Sequence, residues 1–406
     1  MFQDTLVTRS VTTEAEFHRA IDLQARLMAG AGYFDYREKM EREAQLWPSL
    51  KREDVRVALL NGRIVSTFRI FPLRVRIGCV TVPIGGINNV CTHPRYRKKG
   101  YMNALLTDAI GHMRESGALV SVLHGIPDFY YRFGYASIGC DYTLTIQARV
   151  LTSLRKSLRI RKARENDLPD IRRLYDETNT RRTCTIVRDD RVWSRLRPEL
   201  ARVRVIVDGT NKVRGYFWLA NRKDIFKVTE VCAENEEPVL QTLLAECGRL
   251  CRLGVFAEAQ FHVPPDDPLA VYCRRYDAAI ETRYKRNSGW MMRIINLDRL
   301  FSALEAELSR RVKMSHLAGW CGSFCIETDI GSVCLTVSED SVRCAPKESG
   351  RTSETISLPQ SLLSQLLVGY RSGEELREEI GPLTLRDIVR VLFSPGHPFI
   401  CPEDMF

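Results

Sequence analysis

Apolar positions along the first 150 residues switch between two periods. Phe17, Ala20, Ile21, Ala25 and Met28 recur at helical intervals behind Thr13-Glu14-Ala15-Glu16, where a threonine hydroxyl and a glutamate three residues on can cap each other's orphan amides. A helix starts there. Residues 55–60 then lead through Asn61-Gly62 into residues 64–70, the form of two strands joined by a tight turn, and strands continue over 75–82 with Gly78 and Pro83 marking breaks. Residues 85–92 read as a strand entered from a Gly pair, 101–114 as a strong helix, and 118–123 as a further strand.

The middle third repeats this order. Asn166-Asp167-Leu168-Pro169 opens a helix with Leu168, Ile171, Leu174 and Tyr175 on one face, and residues 203–207 meet Asp208-Gly209 before a strand over 213–219. Two copies of one supersecondary plan, offset by about 150 residues, follow from this periodicity, with a junction in the polar, basic stretch 150–161. From about Ile295 the pattern changes. Leu297, Leu300, Phe301, Leu304 and Leu308 mark a helix, 323–328 and 333–337 read as strands around Gly331, and 358–367 and 383–392 read as amphipathic helices. The last stretch, from Ser394-Pro395-Gly396-His397-Pro398 to Phe406, is rich in helix breakers and predicts an extended tail. The expected fold class is α+β with mixed sheets, divided at 1–150, 151–294 and 295–406.

Composition narrows the setting. The chain has 406 residues, 44% hydrophobic and 27% charged, as in a globular protein, with no apolar run near the ~20 residues that cross a membrane and no apolar leader over residues 1–9. Thirteen cysteines, an odd count without repeated spacing, favour a reducing cytoplasm over a disulfide framework. Cys247 and Cys251 stand at helical spacing without a second ligand pair, so no metal is expected. The net charge of +10 attracts anions, but the basic residues are spread along the chain without a nucleic-acid motif, so no nucleic-acid partner is expected either.

The chemistry gathers at one point. The strand ending Val90-Cys91-Thr92 is followed by Arg95, Arg97, Lys98, Lys99 and Gly100 and then by the helix from Tyr101. Free amides and the positive dipole end of a helix converge at such a turn, and the side chains add positive charge, so a pyrophosphate is its natural guest. The patterns of a triphosphate P-loop and of a dinucleotide fold are both missing.

Arg97-Lys98-Lys99-Gly100-Tyr101-Met102 resembles the acyl-CoA signature, Arg/Gln-x-x-Gly-x-Gly/Ala, of the general-control-related N-acetyltransferases (GNAT), with Met102 departing from the small residue usual at the last position. With Val90-Cys91-Thr92-His93-Pro94 before it and Phe129-Tyr130-Tyr131-Arg132-Phe133-Gly134-Tyr135 after it, the chain resembles the enhanced intracellular survival (Eis) family of acetyltransferases. The resemblance implies two tandem GNAT-like domains, the first binding acetyl-CoA, followed by a small domain of sterol-carrier-protein-like fold. It implies acetyl-CoA as cosubstrate along a segment from Val90 through Lys99 to Asn103. Val90, Cys91 and Thr92 would lie beside the thioester, and Arg97, Lys98, Gly100, Tyr101 and Met102 at the pyrophosphate. It further implies Tyr130 as general acid and the terminal carboxylate of Phe406 as general base, with transfer to a primary amine (an aminoglycoside-like polyamine, a small amine or a lysine side chain) in a direct ternary complex. The family assembles as a hexamer, so a homo-oligomer is expected. A base for the amine of pKa ~10 and an acid for the departing thiolate of pKa ~8.5 are what such a transfer needs. Glu403 and Asp404 would add negative charge beside the acceptor.

Blander readings stand beside these. The basic turn could be a solvated loop, Tyr130 a packing aromatic with Tyr131 as its competitor, and Cys91 a small apolar strand residue rather than a nucleophile. His93, His112 and His124 have no partner visible in sequence, and His124 ranks first among them because it ends a cleft-lining strand. In the second copy, Val228-Thr229-Glu230-Val231-Cys232-Ala233 leads into Glu234-Asn235-Glu236-Glu237, which would repel a pyrophosphate. Other functions compatible with the pattern are an N-myristoyltransferase-like acyltransferase and a CoA- or lipid-binding regulator without turnover.

Overall fold

The turn at Asn61-Gly62 forms as its residues require, with φ of 49° and 78°, the pair of positive values that matches the right-handed twist of the strands it joins. In the computed structural model of the chain, residues 5–28, 32–46, 52–180, 182–222, 224–339, 341–347, 354–376 and 385–405 are described. The first sheet has seven strands in the order β1 (Leu6–Ser10), β2 (Val55–Leu60), β3 (Arg63–Ile77), β4 (Val80–Thr92), β5 (Val120–Gly125), β14 (Gly289–Ile294) and β6 (Ala136–Ser137). Its helices are α1 (Glu14–Met28), α2 (Tyr33–Leu46) and α3 (Tyr101–Glu115). At the start of α1, Thr13 Oγ1 accepts from the Glu16 amide at 3.2 Å, but the Glu16 carboxylate turns to the Thr12 amide and to Arg9, so the cap is half of the reciprocal one expected.

The second sheet is β13 (Ala278–Tyr284), β7 (Cys140–Gln147), β12 (Glu258–Phe261), β11 (Phe226–Ala233), β10 (Val213–Leu219), β9 (Val203–Val207) and β8 (Arg159–Lys162). It follows the plan of the first: an antiparallel run, then one parallel pair, β4 with β5 and β11 with β12, and an antiparallel strand beyond it. The helices correspond too. α3 connects β4 to β5, and α7 (Glu237–Gly254) connects β11 to β12; α4 (Ala148–Thr152), α5 (Leu168–Asn179), α6 (Asp190–Leu196) and α8 (Pro268–Cys273) complete this part. Each sheet borrows a strand across the repeat, since β7, preceding residue 150, pairs in the second sheet and β14 returns to pair with β5 in the first.

The last part carries α9 (Leu297–Lys313), a four-stranded sheet in the order β17 (Ser341–Pro346), β16 (Gly331–Ser338), β15 (Gly322–Thr328) and β18 (Glu354–Ser357), then α10 (Gln360–Leu367) and α11 (Arg386–Leu392). The two short outer strands, β17 and β18, carry weak apolar alternation and were not expected from the sequence; Leu383 and Thr384, at the head of the last expected helix, lie outside the described residues. A disulfide joins Cys325 to Cys334, directly opposite across β15 and β16, where the sequence led us to expect no disulfide framework. No described helix is long and apolar enough to cross a membrane.

The three parts share one apolar core, which runs from Phe71, Ile77 and Ile84 through Ile171, Trp193 and Tyr216 to Leu300, Phe301 and Leu392. A buried polar joint reinforces it: Glu307 on α9 accepts from the Cys79 amide at 3.0 Å and from Arg310 and Arg311. Gly78 makes this possible. Its φ is 57°, and a Cβ there would lie 2.1 Å from the Glu307 carboxyl carbon, so only glycine both turns the β3–β4 hairpin and admits the carboxylate.

Candidate active site

The cleft begins where two parallel strands part. β4 pairs with β5 from Ile84 to Ile87 only, so the backbone of residues 88–92 has no ladder partner on the β5 side. On its other side the register with β3 slips between Thr67 and Arg69, leaving one extra residue in β4, and Asn89 has a φ of 58°. This is a β-bulge, which bends the strand away from its neighbour. α2 holds it in place, as Tyr36 Oη donates to Asn89 Oδ1 at 2.7 Å. The resulting cleft, about 770 Å³, is lined by Val90, Cys91 and Thr92, by the turn from Arg97 to Asn103, and by His124, Phe129 and Tyr130.

The turn leads from the end of β4 into the start of α3. His93 Nδ1 accepts from the Arg95 amide at 3.3 Å and starts a short 3-10 turn, Pro94–Tyr96; Lys98 and Gly100 then take positive φ, 61° and 81°. Gly100 is the N-cap of α3 and offers no side-chain cap, so the first amides of this 15-residue helix are left for a guest. Arg97 donates from Nε to Thr92 O at 3.2 Å, and Lys99 lies over the Tyr96 ring at 5.7 Å; Lys98, Lys99 and Asn103 are exposed. The side chain of Met102 packs into the core beneath with Leu105, Leu106 and Ala109. A large residue is tolerated there because it points away from the turn.

Tyr130 is 6% exposed, stacks edge-on against Phe129 and Tyr135, and has no hydrogen-bond partner among the described residues, so its hydroxyl faces the cleft it lines. Burial raises its pKa above the ordinary 10, which keeps the phenol protonated at neutral pH. Tyr131 is on the outside, 47% exposed. Burial likewise pushes the Cys91 thiol up to about 12, so the neutral thiol persists and the residue packs as a small apolar side chain. Of the three histidines, His93 caps the turn and His112 sits on α3. His124 alone among them lines the cleft, its ring edge-on to Trp290 at 5.4 Å. Burial, with Lys285 nearby, lowers its pKa and favours the neutral ring.

His124 also lines a second cavity of about 440 Å³, whose walls come from β7, β11, β12, β13 and the C-terminal segment, including Ile400, Pro402 and Met405. The C-terminal segment is tied down by charge. Arg188, fully buried, donates to Asp404 from Nε at 2.6 Å and to Glu230 from both terminal nitrogens; Tyr175 Oη donates to Asp404 at 3.0 Å. Arg195 donates to the carbonyls of Glu403 and Met405 at 3.0 and 3.1 Å, and Glu403 accepts from Thr229 and Arg202. Glu403 and Asp404 therefore turn into the second sheet rather than toward an acceptor, contrary to expectation. Phe406 lies outside the described residues.

The counterpart cleft of the second copy, about 730 Å³, is lined by Asp176, Glu177, Glu234, Asp266 and Asp267, with Arg182 as the one basic side chain among the described residues around it. Among the described residues no group of three or more His, Cys, Asp or Glu side chains could hold a metal, and the helical pair Cys247 and Cys251 is buried in the second core. Sequence reasoning missed the anchoring arginines and the whole second cavity, because their residues come from segments far apart in sequence, as Arg188 and Asp404 are at 216 positions.

Residues 8–138 match the family described as acetyltransferase (GNAT) domain. Over 377 residues, 86% of this chain and 88% of the relative, the chain is 22% identical to N-acetyltransferase Eis of Mycobacterium tuberculosis. Solved structures similar to it include a GCN5-related N-acetyltransferase from Kribbella flavida (20% identity, 99% of each chain, TM-score 0.76), another from Anabaena variabilis (17%, 99% and 100%, TM-score 0.78) and Eis1 of Mycobacterium abscessus (18%, 98% and 99%, TM-score 0.68). At these identities the likeness is one of fold, and it extends over essentially the whole chain.

Proposed function

The chain carries a GNAT acetyltransferase domain and is an acetyltransferase, and from that premise we propose that it transfers acetyl from acetyl-CoA to a primary amine as an Eis-family N-acetyltransferase, in a direct ternary complex. One observation carries the reading: the parted strands β4 and β5 open beneath a basic turn and an uncapped helix start, with the buried Tyr130 in the same cleft. The residues fit coenzyme A. Arg97, Lys98, Lys99 and Asn103, with the amides from Gly100 to Met102, would hold the pyrophosphate, and the unpaired edge of β4 at Val90, Cys91 and Thr92 would run beside the pantetheine arm. Acetyl-CoA supplies the activated acyl group.

Tyr130 is the general acid in this reading. Its proton is in place at neutral pH because burial disfavours the phenolate, and the same burial disfavours a thiolate expelled beside it, which strengthens that sulfur's demand for the proton. The terminal carboxylate of Phe406 is the general base, and its support is the clamp on the segment just before it, whose Met405 lines a cavity that shares His124 with the cofactor cleft. The same proposal takes the acceptor as an aminoglycoside-like polyamine, a small amine or a lysine side chain. It divides the chain at 1–150, 151–294 and 295–406, with a sterol-carrier-like last part, and expects a cytoplasmic homo-oligomer, a hexamer as in the resembling family.

The test is calorimetry with acetyl-CoA combined with thiol release over an amine panel. Tyr130→Phe should lower kcat by about 10²–10⁴-fold, the usual worth of a positioned acid, with acetyl-CoA affinity within about threefold of wild type. Equal turnover by the variant removes Tyr130 from the mechanism. Tight acetyl-CoA binding without release on any amine would instead favour a non-enzymatic regulator.

A further inference from the structure

The cavity beside His124 has a charge pattern of its own. Its floor is the face of the second sheet opposite α7, where Lys227 on β11 stands next to Gln260 on β12 in register. Two acids line it, and each is answered: Asp141 by Lys285 at 2.8 Å, Glu281 by Arg283 at 3.0 Å. The acids expected to add negative charge, Glu403 and Asp404, are spent on Thr229, Arg202 and Arg188. His262, hydrogen-bonded through Nδ1 to Tyr142 O, is neutral, its pKa pressed to about 4 by burial first and then by Lys227. The half-buried Lys227 itself makes no salt bridge with a carboxylate among the described residues.

Apart from the terminal carboxylate assigned as the base, a polycation entering here meets described walls without net negative charge and one ammonium that has no ion pair among the described residues. An acceptor with one amine and one anionic group meets complementary chemistry instead. Its amine can lie at His124, the residue that lines both this cavity and the cleft of the first sheet, and its anion can lie at Lys227, with Gln260 beside it as a neutral hydrogen-bonding group. Resting on the acetyl-transfer reading above, we infer that the acceptor is an amine that also carries a carboxylate or phosphate, and that Lys227 reads that group.

Paired acceptors that differ only in the anion test this. Lysine against its methyl ester covers the carboxylate, phosphoethanolamine against ethanolamine covers the phosphate, and spermidine serves as the polycation, each followed by CoA release. The expected result is a kcat/KM at least about tenfold higher for one anionic member than for its uncharged counterpart, expressed mainly in KM. Lys227→Met should erase that ratio and Lys227→Arg should keep it. A preference for spermidine or for the uncharged counterparts overturns the inference alone. So does a Lys227→Met variant that lowers kcat equally for every acceptor, as a purely structural or base-positioning lysine would. Absence of CoA release with every amine overturns the transferase reading and this inference together.

Discussion

Asp404→Asn is the substitution that isolates the clamp on the C-terminal segment. It keeps the side-chain shape but removes one of the two carboxylates that Arg188 holds, leaving the guanidinium paired with Glu230, so no buried charge is orphaned. A hydrogen bond between charged groups contributes about 1.5–3 kcal/mol, and the Arg188–Asp404 bond is fully buried, without solvent screening. Taking about 2 kcal/mol, the docking equilibrium of residues 403–405 shifts about 30-fold toward the undocked state, since each 1.4 kcal/mol is a factor of ten. The base at Phe406 acts only from the docked state in the proposed mechanism. Steady-state kinetics should therefore show kcat lower by up to about 30-fold, the limit reached when docking of the segment is near balance, while acetyl-CoA affinity stays within about twofold, because the turn at Arg97 to Asn103 is untouched. A general loss of stability would also lower activity, so the decisive measurement is a double-mutant cycle with deletion of Phe406. If Asp404 acts through the terminus, Asp404→Asn should cost less than about twofold once Phe406 is gone. Full additivity of the two losses would refute the reasoning.

Gly100→Ala meets no atom within 4 Å of its new Cβ, so its whole effect is the left-handed conformation at φ 81°, about 1–2 kcal/mol for an L residue; acetyl-CoA binding by calorimetry should weaken about 5- to 30-fold, and an unchanged affinity would separate the turn from the cofactor. Glu307 gives a pH prediction. Burial pushes its carboxyl up, but hydrogen bonds from Arg310, the Cys79 amide and Arg311 outweigh burial and hold the pKa at about 2 against an ordinary 4.5. The folded-state value is the lower one, so the contribution, about 3 kcal/mol at about 1.36 kcal/mol per pH unit, is complete above 4.5 and is lost as pH falls through 2. Denaturant melts between pH 5 and 2 should show this loss in the wild type and a flatter profile in Glu307→Gln; parallel profiles would discount the joint.

Local chemistry was legible in the sequence and distant assembly was not. Asn61-Gly62 announced its hairpin because only residues tolerant of positive φ fit the turn, and the run from Arg97 to Gly100 announced a basic turn at a helix start because the charges and the glycine are adjacent in sequence. Helix α9 was visible from its apolar spacing alone. What stayed hidden depended on pairing across the repeat. Nothing near Trp290 signals that its strand closes the first sheet beside His124, and nothing near Arg188 signals two carboxylate partners 42 and 216 residues away. The fate of Glu403 and Asp404 was misjudged for that reason: a carboxylate two residues from a supposed active site looks like part of it until its arginine is known.

The second copy of the fold explains itself once this is seen. Its own cleft is acidic and unsuited to a pyrophosphate, yet the chain keeps the whole sheet, and other features of the molecule depend on it. β14, reached only after the second copy is complete, supplies the strand that covers the free edge of β5 and sets Trp290 against His124. The segment carrying Arg188 is held against β3 by the amide of Val187 on Arg74 O and the amide of Cys184 on Arg76 O, so the clamp for the C-terminal segment is fixed to the first sheet itself. The opposite face of the second sheet then floors the cavity with Lys227 and Gln260. In the proposed reading the second copy is thus the frame that sets the remaining groups around the first cleft, and a change in its buried arginines should be felt in turnover before it is felt in cofactor affinity.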